Sequence, residues 1–367
     1  MMKLISYLLF AVVFIGAPFS VLGEKRVWIA SGGDGIYSAR LDEGNFRLAG
    51  VKRVVDLGRV AYIAEHPRLD VLYAVQGNRG GNGRIFWFEK KANGELVERG
   101  SHVIGPEWCA ALDVSPDGAF IALGDYAGGR TGVYSLDEYG AVMETVLEAQ
   151  HEGSSVHPQR QTAPHPHWAG FSADSRFLFI PDLGTDEIWT YAMDAESLSV
   201  ELVARQFTRA GSGPRHLAIH PNARFAYTTD ELVDSVTAFR YDAETGNLHA
   251  IESLLAAEES KKERRASVSD LKVHPNGNFL YVVNRGFDAV SVFRINGKSG
   301  RLTPVEREHV RGTGARCISI SPDGRWAIVC GSGSATVALF SVDGNTGELT
   351  YGGGVINVER PLAVVWD

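Results

Sequence analysis

A short turn motif recurs six times along the sequence at nearly constant spacing. The copies are variants of His/Ser-Pro-Asn/Asp-Gly, and each is followed by an aromatic or aliphatic run. They begin at His66, Ser115, Ser172, His220, His274 and Ser321. Successive starts are 49, 57, 48, 54 and 47 residues apart. This period is typical of the four-stranded blades of a β-propeller.

Four strand patterns accompany each turn. In the fourth copy, strands are predicted over residues 215–220, 225–229, 235–242 and 248–254. Proline, asparagine, aspartate and glycine suit the reversals between them, because these residues fix or permit the backbone angles that turns need.

The two ends of the chain supply a seventh blade. Residues 27–30, 35–41 and 46–51 match the second, third and fourth strands of a blade, and residues 360–365 match a first strand. Pairing the C-terminal strand with the N-terminal three closes the ring and leaves no wide open sheet edge. We therefore predict an all-β fold, a seven-bladed β-propeller of four-stranded blades closed by its C-terminal strand.

The N-terminus is typical of a secretory signal peptide. Lys3 precedes an apolar run over residues 4–15, and small residues near Gly23 suit cleavage. The run is short for a membrane-spanning helix and Pro18 follows it. We expect a signal peptide over residues 1–23 and one propeller domain over residues 24–367 that is secreted or periplasmic, without stable membrane insertion after cleavage.

The charge balance argues against a nucleic-acid partner. The formal net charge is −8, and no basic stripe is present. The sequence predicts a small-molecule partner and leaves the oligomeric state open.

The three cysteines leave at least one thiol without a partner within the chain. Cys317 and Cys330 fall on neighbouring predicted strands and could pair in an oxidising compartment, or be two separate buried apolar residues.

The repeat predicts that residues from every blade share one rim of the central channel. The first strand runs into the turn and the second runs back, so the start of one and the end of the other lie at the same end of a blade. Counting five residues back from each turn gives Ala61, Ala110, His167, Arg215, Ser269 and Arg316, and the split blade adds Arg360. Counting ten and eleven residues forward gives Gln76-Gly77, Asp125-Tyr126, Asp182-Leu183, Asp230-Glu231, Asn284-Arg285 and Gly331-Ser332.

The cations and the carboxylates of this rim have different explanations. Arginines gathered at a narrow channel repel one another unless an anion neutralises them, so Arg215, Arg285 and Arg316 favour an anionic ligand. An aspartate at the end of a second strand often only accepts hydrogen bonds from the next loop. That structural role remains open for Asp182 and for its equivalents in the two adjacent blades.

A metal site is a weaker alternative. His151, His157, His165 and His167 fall within 17 residues, and histidine is a common metal ligand. The segment is interrupted by prolines, however, and the chain has no HExxH motif. GxSxG, P-loop and GxGxxG motifs are also absent. We predict neither a metal nor a cofactor, and water is the predicted nucleophile of any hydrolysis.

Four short motifs carry a family resemblance. HPHWAGFS occupies residues 165–172, GPRHL residues 213–217, DEL residues 230–232 and NRG residues 284–286. With these motifs the chain, from about residue 27 to residue 367, resembles the lactonase family of seven-bladed propellers. That family includes bacterial 6-phosphogluconolactonase and the fungal carboxy-cis,cis-muconate cyclase.

The resemblance implies lactone chemistry at His167, Arg215, Glu231 and Arg285, which the repeat count had placed on one rim. Glu231 or His167 would be the general base on water, and the two arginines would hold an anionic group and the developing oxyanion. Further substrate contacts are expected from Arg316 as an anion clamp, Asp182 as an orienting carboxylate, and His165 and Arg360.

The sequence therefore favours a lactone hydrolase of the 6-phosphogluconolactonase type that acts on a sugar or other anionic lactone. Because the phosphogluconate pathway is cytosolic, an exported protein makes a non-phosphorylated aldonolactone plausible as substrate. The alternatives are a non-catalytic propeller used as a binding or scaffold module, a lactonising cyclase of the carboxymuconate type, and a metal-dependent lactonase.

Overall fold

The computed structural model describes residues 25–77, 82–105, 109–256 and 267–367, so the predicted signal peptide lies outside the described residues. Apart from one 3-10 turn at Glu43–Asn45, the regular elements of these residues are β-strands. The strands, in chain order, are β1 Arg26–Ser31, β2 Gly35–Asp42, β3 Arg47–Asp56, β4 Tyr62–Glu65, β5 Val71–Gln76, β6 Gly83–Lys90, β7 Leu96–Gly105, β8 Cys109–Val114, β9 Phe120–Asp125, β10 Arg130–Leu136, β11 Val142–Gln150, β12 Gly170–Phe171, β13 Phe177–Asp182, β14 Glu187–Asp194, β15 Ser199–Phe207, β16 Pro214–Ile219, β17 Phe225–Asp230, β18 Ser235–Tyr241, β19 Leu248–Leu255, β20 Val268–Val273, β21 Phe279–Asn284, β22 Ala289–Ile295, β23 Leu302–His309, β24 Ala315–Ile320, β25 Trp326–Gly331, β26 Thr336–Val342, β27 Leu349–Asn357 and β28 Pro361–Trp366.

These strands form seven four-stranded antiparallel sheets, which confirms the predicted seven-bladed propeller. The blades are blade 1 (β4–β7), blade 2 (β8–β11), blade 3 (β12–β15), blade 4 (β16–β19), blade 5 (β20–β23), blade 6 (β24–β27) and blade 7 (β28 with β1–β3). First strands of neighbouring blades contact one another around the ring, except that β13 takes the place of the short β12 beside β16. The first strands therefore line the channel.

Blade 7 closes the ring as the sequence predicted. Strand β28 pairs antiparallel with β1, and Trp28 and Ile29 lie opposite Val365 and Val364. The closure buries Trp28 and Ile29 completely.

Among the described residues the hydrophobic core consists of seven clusters, each between two adjacent blades. Second strands read as continuous buried runs because both of their faces pack against neighbouring blades. The strand β21, for example, is buried at all six residues of Phe279–Asn284. Such a core holds the channel-lining strands at fixed positions.

The recurring turn also joins neighbouring blades. The Nε2 atoms of His220 and His274 lie 2.7 and 2.9 Å from the carbonyl oxygens of Gly277 and Gly324, in the turns of the next blades. Those glycines have φ angles of 76° and 72°. A Cβ on Gly277 would lie 2.8 Å from the His220 ring. Glycine is therefore required both for the backbone angle and for the close approach of the histidine.

All three cysteines are free and buried, and Cys317 lies opposite Cys330 in the β24–β25 register. No helix of the described residues is long and apolar enough to cross a membrane.

Candidate functional site

A β-bulge prepares the start of the first strand in blade 4. Between the Pro214–Asp230 and Leu217–Thr228 pairs, β16 has two residues where β17 has one. The two residues of β16 that lie opposite a single residue of β17 are Arg215 and His216. Since a bulge re-aims side chains, both can contribute to the channel rim although they are consecutive in a strand. The Arg215 side chain is almost completely buried.

Glu231 is the centre of the rim cluster. It follows β17 directly, and its N–H donates to the Gly213 carbonyl at 2.8 Å. Its Oε2 accepts from Arg215 Nε at 2.8 Å and lies 2.9 Å from an Arg285 terminal nitrogen. Its Oε1 accepts from Arg160 at 2.7 Å. Burial opposes ionisation, but the charges of the three guanidiniums lower the pKa of Glu231 to about 2, so the carboxylate is ionised at neutral pH.

His167 faces the same carboxylate. The residue lies just before the short strand β12, and its backbone N–H donates to the Pro181 carbonyl at 2.9 Å. The ring Nε2 lies 4.0 Å from Glu231 Oε2, and the buried Nδ1 has no hydrogen-bond partner among the described residues. Burial and the charge of Arg215 lower the pKa of His167 well below its usual range. The imidazole is therefore neutral at physiological pH.

Positive charge exceeds negative charge at this rim. Arg285 donates to Ser267 Oγ at 2.6 Å, while its buried Nε has no partner. Arg316 makes no hydrogen bond or ion pair within the described ranges, and burial together with the charge of Arg285 lowers its pKa to about 10. The guanidiniums of Arg160, Arg215 and Arg285 thus share the carboxylate of Glu231, and Arg316 adds a fourth positive charge nearby. Such an arrangement favours an anionic ligand.

The structure brings together the four residues expected from the resemblance, His167, Arg215, Glu231 and Arg285. Arg316 lies close enough to Arg285 for the charge of Arg285 to lower its pKa. These five side chains form what we call the rim cluster.

Both carboxylate oxygens of Asp182, expected to orient the substrate, have partners within the protein. Its Oδ1 accepts from the backbone N–H groups of His165, Gly184 and Thr185 at 2.7, 2.8 and 3.2 Å. Its Oδ2 lies 2.8 Å from His151 Nδ1. Both oxygens are therefore occupied by backbone N–H groups and by His151. This is the loop-binding alternative that the sequence had left open.

The two remaining expected substrate contacts lie outside the rim cluster. His165 stacks on Tyr126 with ring centroids 4.5 Å apart, and its Nδ1 lies 2.8 Å from the Tyr126 carbonyl oxygen. Arg360 is exposed, and its charge acts on Arg59, whose pKa is lowered by burial and by Arg360. Neither side chain contacts Glu231.

The histidine-rich segment does not converge on one point. His151 stacks on Trp189 and pairs with Asp182, while His157 Nδ1 accepts from the backbone N–H groups of Gln159 and Arg160. Within the described ranges, no three His, Cys, Asp or Glu side chains form a group that could hold a metal ion.

Two contributors escaped the sequence analysis. Arg160 reaches Glu231 from the loop before β12, a position with no equivalent in the repeat. His216 lies beside Arg215, with its Nε2 2.7 Å from an Arg215 terminal nitrogen and its Nδ1 2.9 Å from Asp270 Oδ1. The GPRHL motif contained His216, but strict alternation of strand side chains points it away from the position of Arg215.

A family model for lactonases with a seven-bladed β-propeller matches residues 21–366. The 6-phosphogluconolactonase of Bacillus subtilis is 32% identical over 296 residues, which are 80% of this chain and 83% of the relative.

Solved structures give the same result for the fold. The Pseudomonas aeruginosa periplasmic gluconolactonase superposes with a TM-score of 0.85 at 27% identity, covering 93% of this chain and 98% of that one. A Lactobacillus plantarum protein superposes with a TM-score of 0.87 at 21% identity, covering 94% and 99% of the two chains.

Proposed function

Because the chain belongs to the lactonase family of seven-bladed β-propellers, we propose that it hydrolyses a sugar lactone or another anionic lactone at the rim cluster. The observation that carries the proposal is the position of a neutral imidazole, that of His167, 4.0 Å from a carboxylate that three guanidiniums surround. A general base and donors for the developing oxyanion accelerate ester hydrolysis by water, and a nearby carboxylate stabilises the protonated base.

His167 is the general base in this proposal. The oxygens of Glu231 already interact with three arginines, whereas one ring nitrogen of His167 has no partner in the described structure. The imidazole takes a proton from water as the water oxygen attacks the lactone carbonyl carbon. The resulting imidazolium lies beside Glu231, whose negative charge stabilises it.

The arginines stabilise the other charges of the reaction. Arg215 and Arg285 donate to the carbonyl oxygen as it becomes an oxyanion. Arg316 binds the carboxylate that hydrolysis forms or, in an anionic lactone, the anionic group of the substrate. When the tetrahedral intermediate collapses, the bond between the carbonyl carbon and the ring oxygen breaks. The leaving alkoxide takes the proton from His167, which gives the open hydroxy acid and restores the neutral imidazole.

The N-terminal motif and one solved relative favour a lactone substrate that the protein encounters outside the cytosol. The sequence motif at the N-terminus is that of a signal peptide over residues 1–23, which would leave residues 24–367 as the mature domain. A solved relative is a periplasmic gluconolactonase, and the Bacillus subtilis relative is a 6-phosphogluconolactonase. We propose a secreted or periplasmic enzyme whose substrate is an aldonolactone without a phosphate.

Hydrolysis of glucono-1,5-lactone and of 6-phosphogluconolactone by the purified protein, followed by pH-stat, tests the proposal. Arg215→Ala removes an oxyanion donor, so we expect kcat to fall about 10²–10³-fold. Arg294→Ala, which removes an exposed arginine on the outer part of blade 5, is the matched control and should leave kcat unchanged.

Three outcomes would contradict the proposal. Normal turnover by a folded Arg215→Ala variant would remove the rim cluster from the mechanism. Binding of lactones without turnover by the unmodified protein would favour a binding module. Loss of activity after exhaustive chelation, restored by added metal, would favour a metal-dependent lactonase.

A further inference from the structure

A continuous chain of side chains leads from blade 5 to Glu231. Asp270 Oδ1, on β20, lies 2.9 Å from His216 Nδ1. His216 Nε2 lies 2.7 Å from a terminal nitrogen, NH1, of Arg215. Arg215 in turn donates through Nε to Glu231 at 2.8 Å. All four side chains are buried, so each contact determines the position of the next.

The contacts fix the tautomer of His216. A guanidinium can only donate hydrogen bonds, so His216 Nε2 must accept the bond from Arg215. The ring proton then lies on Nδ1 and is donated to Asp270. Burial and the charge of Arg215 lower the pKa of His216 to about 3, so the ring stays neutral at physiological pH.

Asp270 is held in the ionised state that this arrangement needs. Burial alone would raise its pKa, but Lys272, at 3.8 Å, and the hydrogen bond from His216 lower it. The backbone N–H groups of Leu271 and Ile318 also donate to the carboxylate, at 2.9 and 3.1 Å. A carboxylate with these partners is an acceptor only, and it holds the His216 proton on Nδ1.

Arg215 depends on these acceptors because its surroundings are unfavourable for a cation. Burial and the charges of Arg316 and Arg285 lower its pKa well below the usual range. Its NH1 donates to His216 and to the Ser269 carbonyl, and its Nε donates to Glu231. In the described structure its second terminal nitrogen, NH2, makes no hydrogen bond. That nitrogen is the donor left for a ligand.

We infer that His216 and Asp270 are positioning residues for Arg215, an inference that rests on the proposed lactonase function. The imidazole, held as its Nδ1–H tautomer by Asp270, fixes the plane of the Arg215 guanidinium. The free NH2 donor then points where the oxyanion of the lactone develops. Neither residue touches the substrate.

Two amide substitutions at position 216 separate positioning from simple packing. In His216→Gln the side-chain oxygen reaches the place of Nε2 and still accepts from Arg215. In His216→Asn the shorter amide reaches the place of Nδ1 and can pair only with Asp270. We expect His216→Asn to lower kcat about 10²-fold with a smaller change in KM, since a displacement of about 1 Å has this cost. His216→Gln should stay within about tenfold of the unmodified protein.

His274→Asn is the matched control for loss of a buried histidine. That residue lies at the opposite end of its blade, in a turn, and donates to the Gly324 carbonyl. We expect it to lower the melting temperature without changing kcat. Equal losses of kcat in folded His216→Asn and His216→Gln, or unchanged kcat in His216→Asn, would overturn the inference.

Nitrogen-15 NMR of the histidine rings tests the tautomer without any substrate. We expect the His216 signals to show a proton on Nδ1 and none on Nε2 between pH 5 and pH 8. An Nε2–H tautomer or an imidazolium in that range would refute the positioning role. Absence of lactone hydrolysis with the expected tautomer present would instead refute the proposed function alone.

Discussion

Burial and positive charge act on the His167 imidazole in the same direction. Both favour its neutral form, which is the form that a general base must have. The nearby Glu231 works against them only in part, because arginines already neutralise its charge. At the scale of single residues, the rim cluster keeps the His167 imidazole neutral, and therefore able to accept a proton, in surroundings that also attract anions.

This balance predicts the acid limb of the pH–rate profile. His167 must be deprotonated to act, and its pKa is lowered, so kcat/KM should fall only as the pH drops well below 6.5. Arg316→Gln removes one of the positive charges that lower this pKa. The midpoint of the limb should therefore move to higher pH in that variant. Steady-state kinetics between pH 4 and pH 8 measure both effects.

Two further variants identify the group that titrates. If His167 is the base, Glu231→Gln keeps an acid limb at reduced rate, whereas His167→Asn loses it. A limb that persists in folded His167→Asn would transfer the role of base to Glu231. The surface substitution Arg294→Gln should leave the midpoint where it is.

At the scale of strands, the buried aspartate that ends β17 joins the two strands that flank the next loop. Asp230 ends β17, and its carboxylate accepts from the hydroxyl groups of Thr228, Ser235 and Thr237 at 3.1, 3.1 and 2.5 Å. Burial raises its pKa to about 6, although these three hydrogen bonds oppose the shift. The next residue is Glu231, so the same loop sets the position of the rim carboxylate.

Asp230→Asn should reveal the raised pKa as a pH-dependent stability. The folded protein holds the Asp230 proton more tightly than the unfolded chain, whose aspartate pKa is near 3.8. The unmodified protein therefore gains stability relative to the variant as the pH falls from 7.5 through 6 towards 4. The gain should be on the order of 2–3 kcal/mol over the full range. Urea unfolding of both proteins at several pH values measures it, and a difference that does not change with pH would contradict the assignment.

The sequence predicted the site residues that occupy equivalent positions in the repeated blades, and it missed the residues that depart from the repeat. Turn spacing placed His167, Arg215, Glu231 and Arg285 at one rim because blade positions are equivalent. His216 escaped because a bulge leaves no mark in the pattern of apolar and polar residues.

Two further differences depend on loops. Arg160 belongs to the connection between β11 and β12, which has more residues than the connection before any other first strand. The role of Asp182 depends on the loop after β13, which brings the N–H groups of Gly184 and Thr185 to one oxygen, and on the segment before β12, which adds that of His165. Strand periodicity contains no information about either.

At the scale of the whole molecule, ring closure determines whether the rim exists at all. Each hydrophobic cluster joins two blades, so every blade needs neighbours on both sides. Strand β28 supplies the first strand of blade 7, with Ala363, Val364 and Trp366 buried. It also contacts the first strands β24 and β4 of the two flanking blades. The positions of Arg316 on β24 and of the other rim arginines thus depend on a strand more than 300 residues away from its pairing partner β1.

Deleting residues 360–367 should abolish cooperative folding. The deletion uncovers one edge of β1 and exposes the buried faces of Trp28 and Ile29 to water. Loss of Val364 and Trp366 alone removes on the order of 5 kcal/mol of burial free energy, comparable with the whole stability of many domains.

Deleting only Asp367 is the matched control, since it removes ion pairs with Lys90 and Arg26 and leaves β28 intact. That loss should cost about 1 kcal/mol or less. Thermal melts followed by circular dichroism, with size-exclusion chromatography for aggregation, distinguish the two. A longer deletion that still melts cooperatively within a few degrees of the full chain would mean that six blades close without β28, and that the rim does not depend on it.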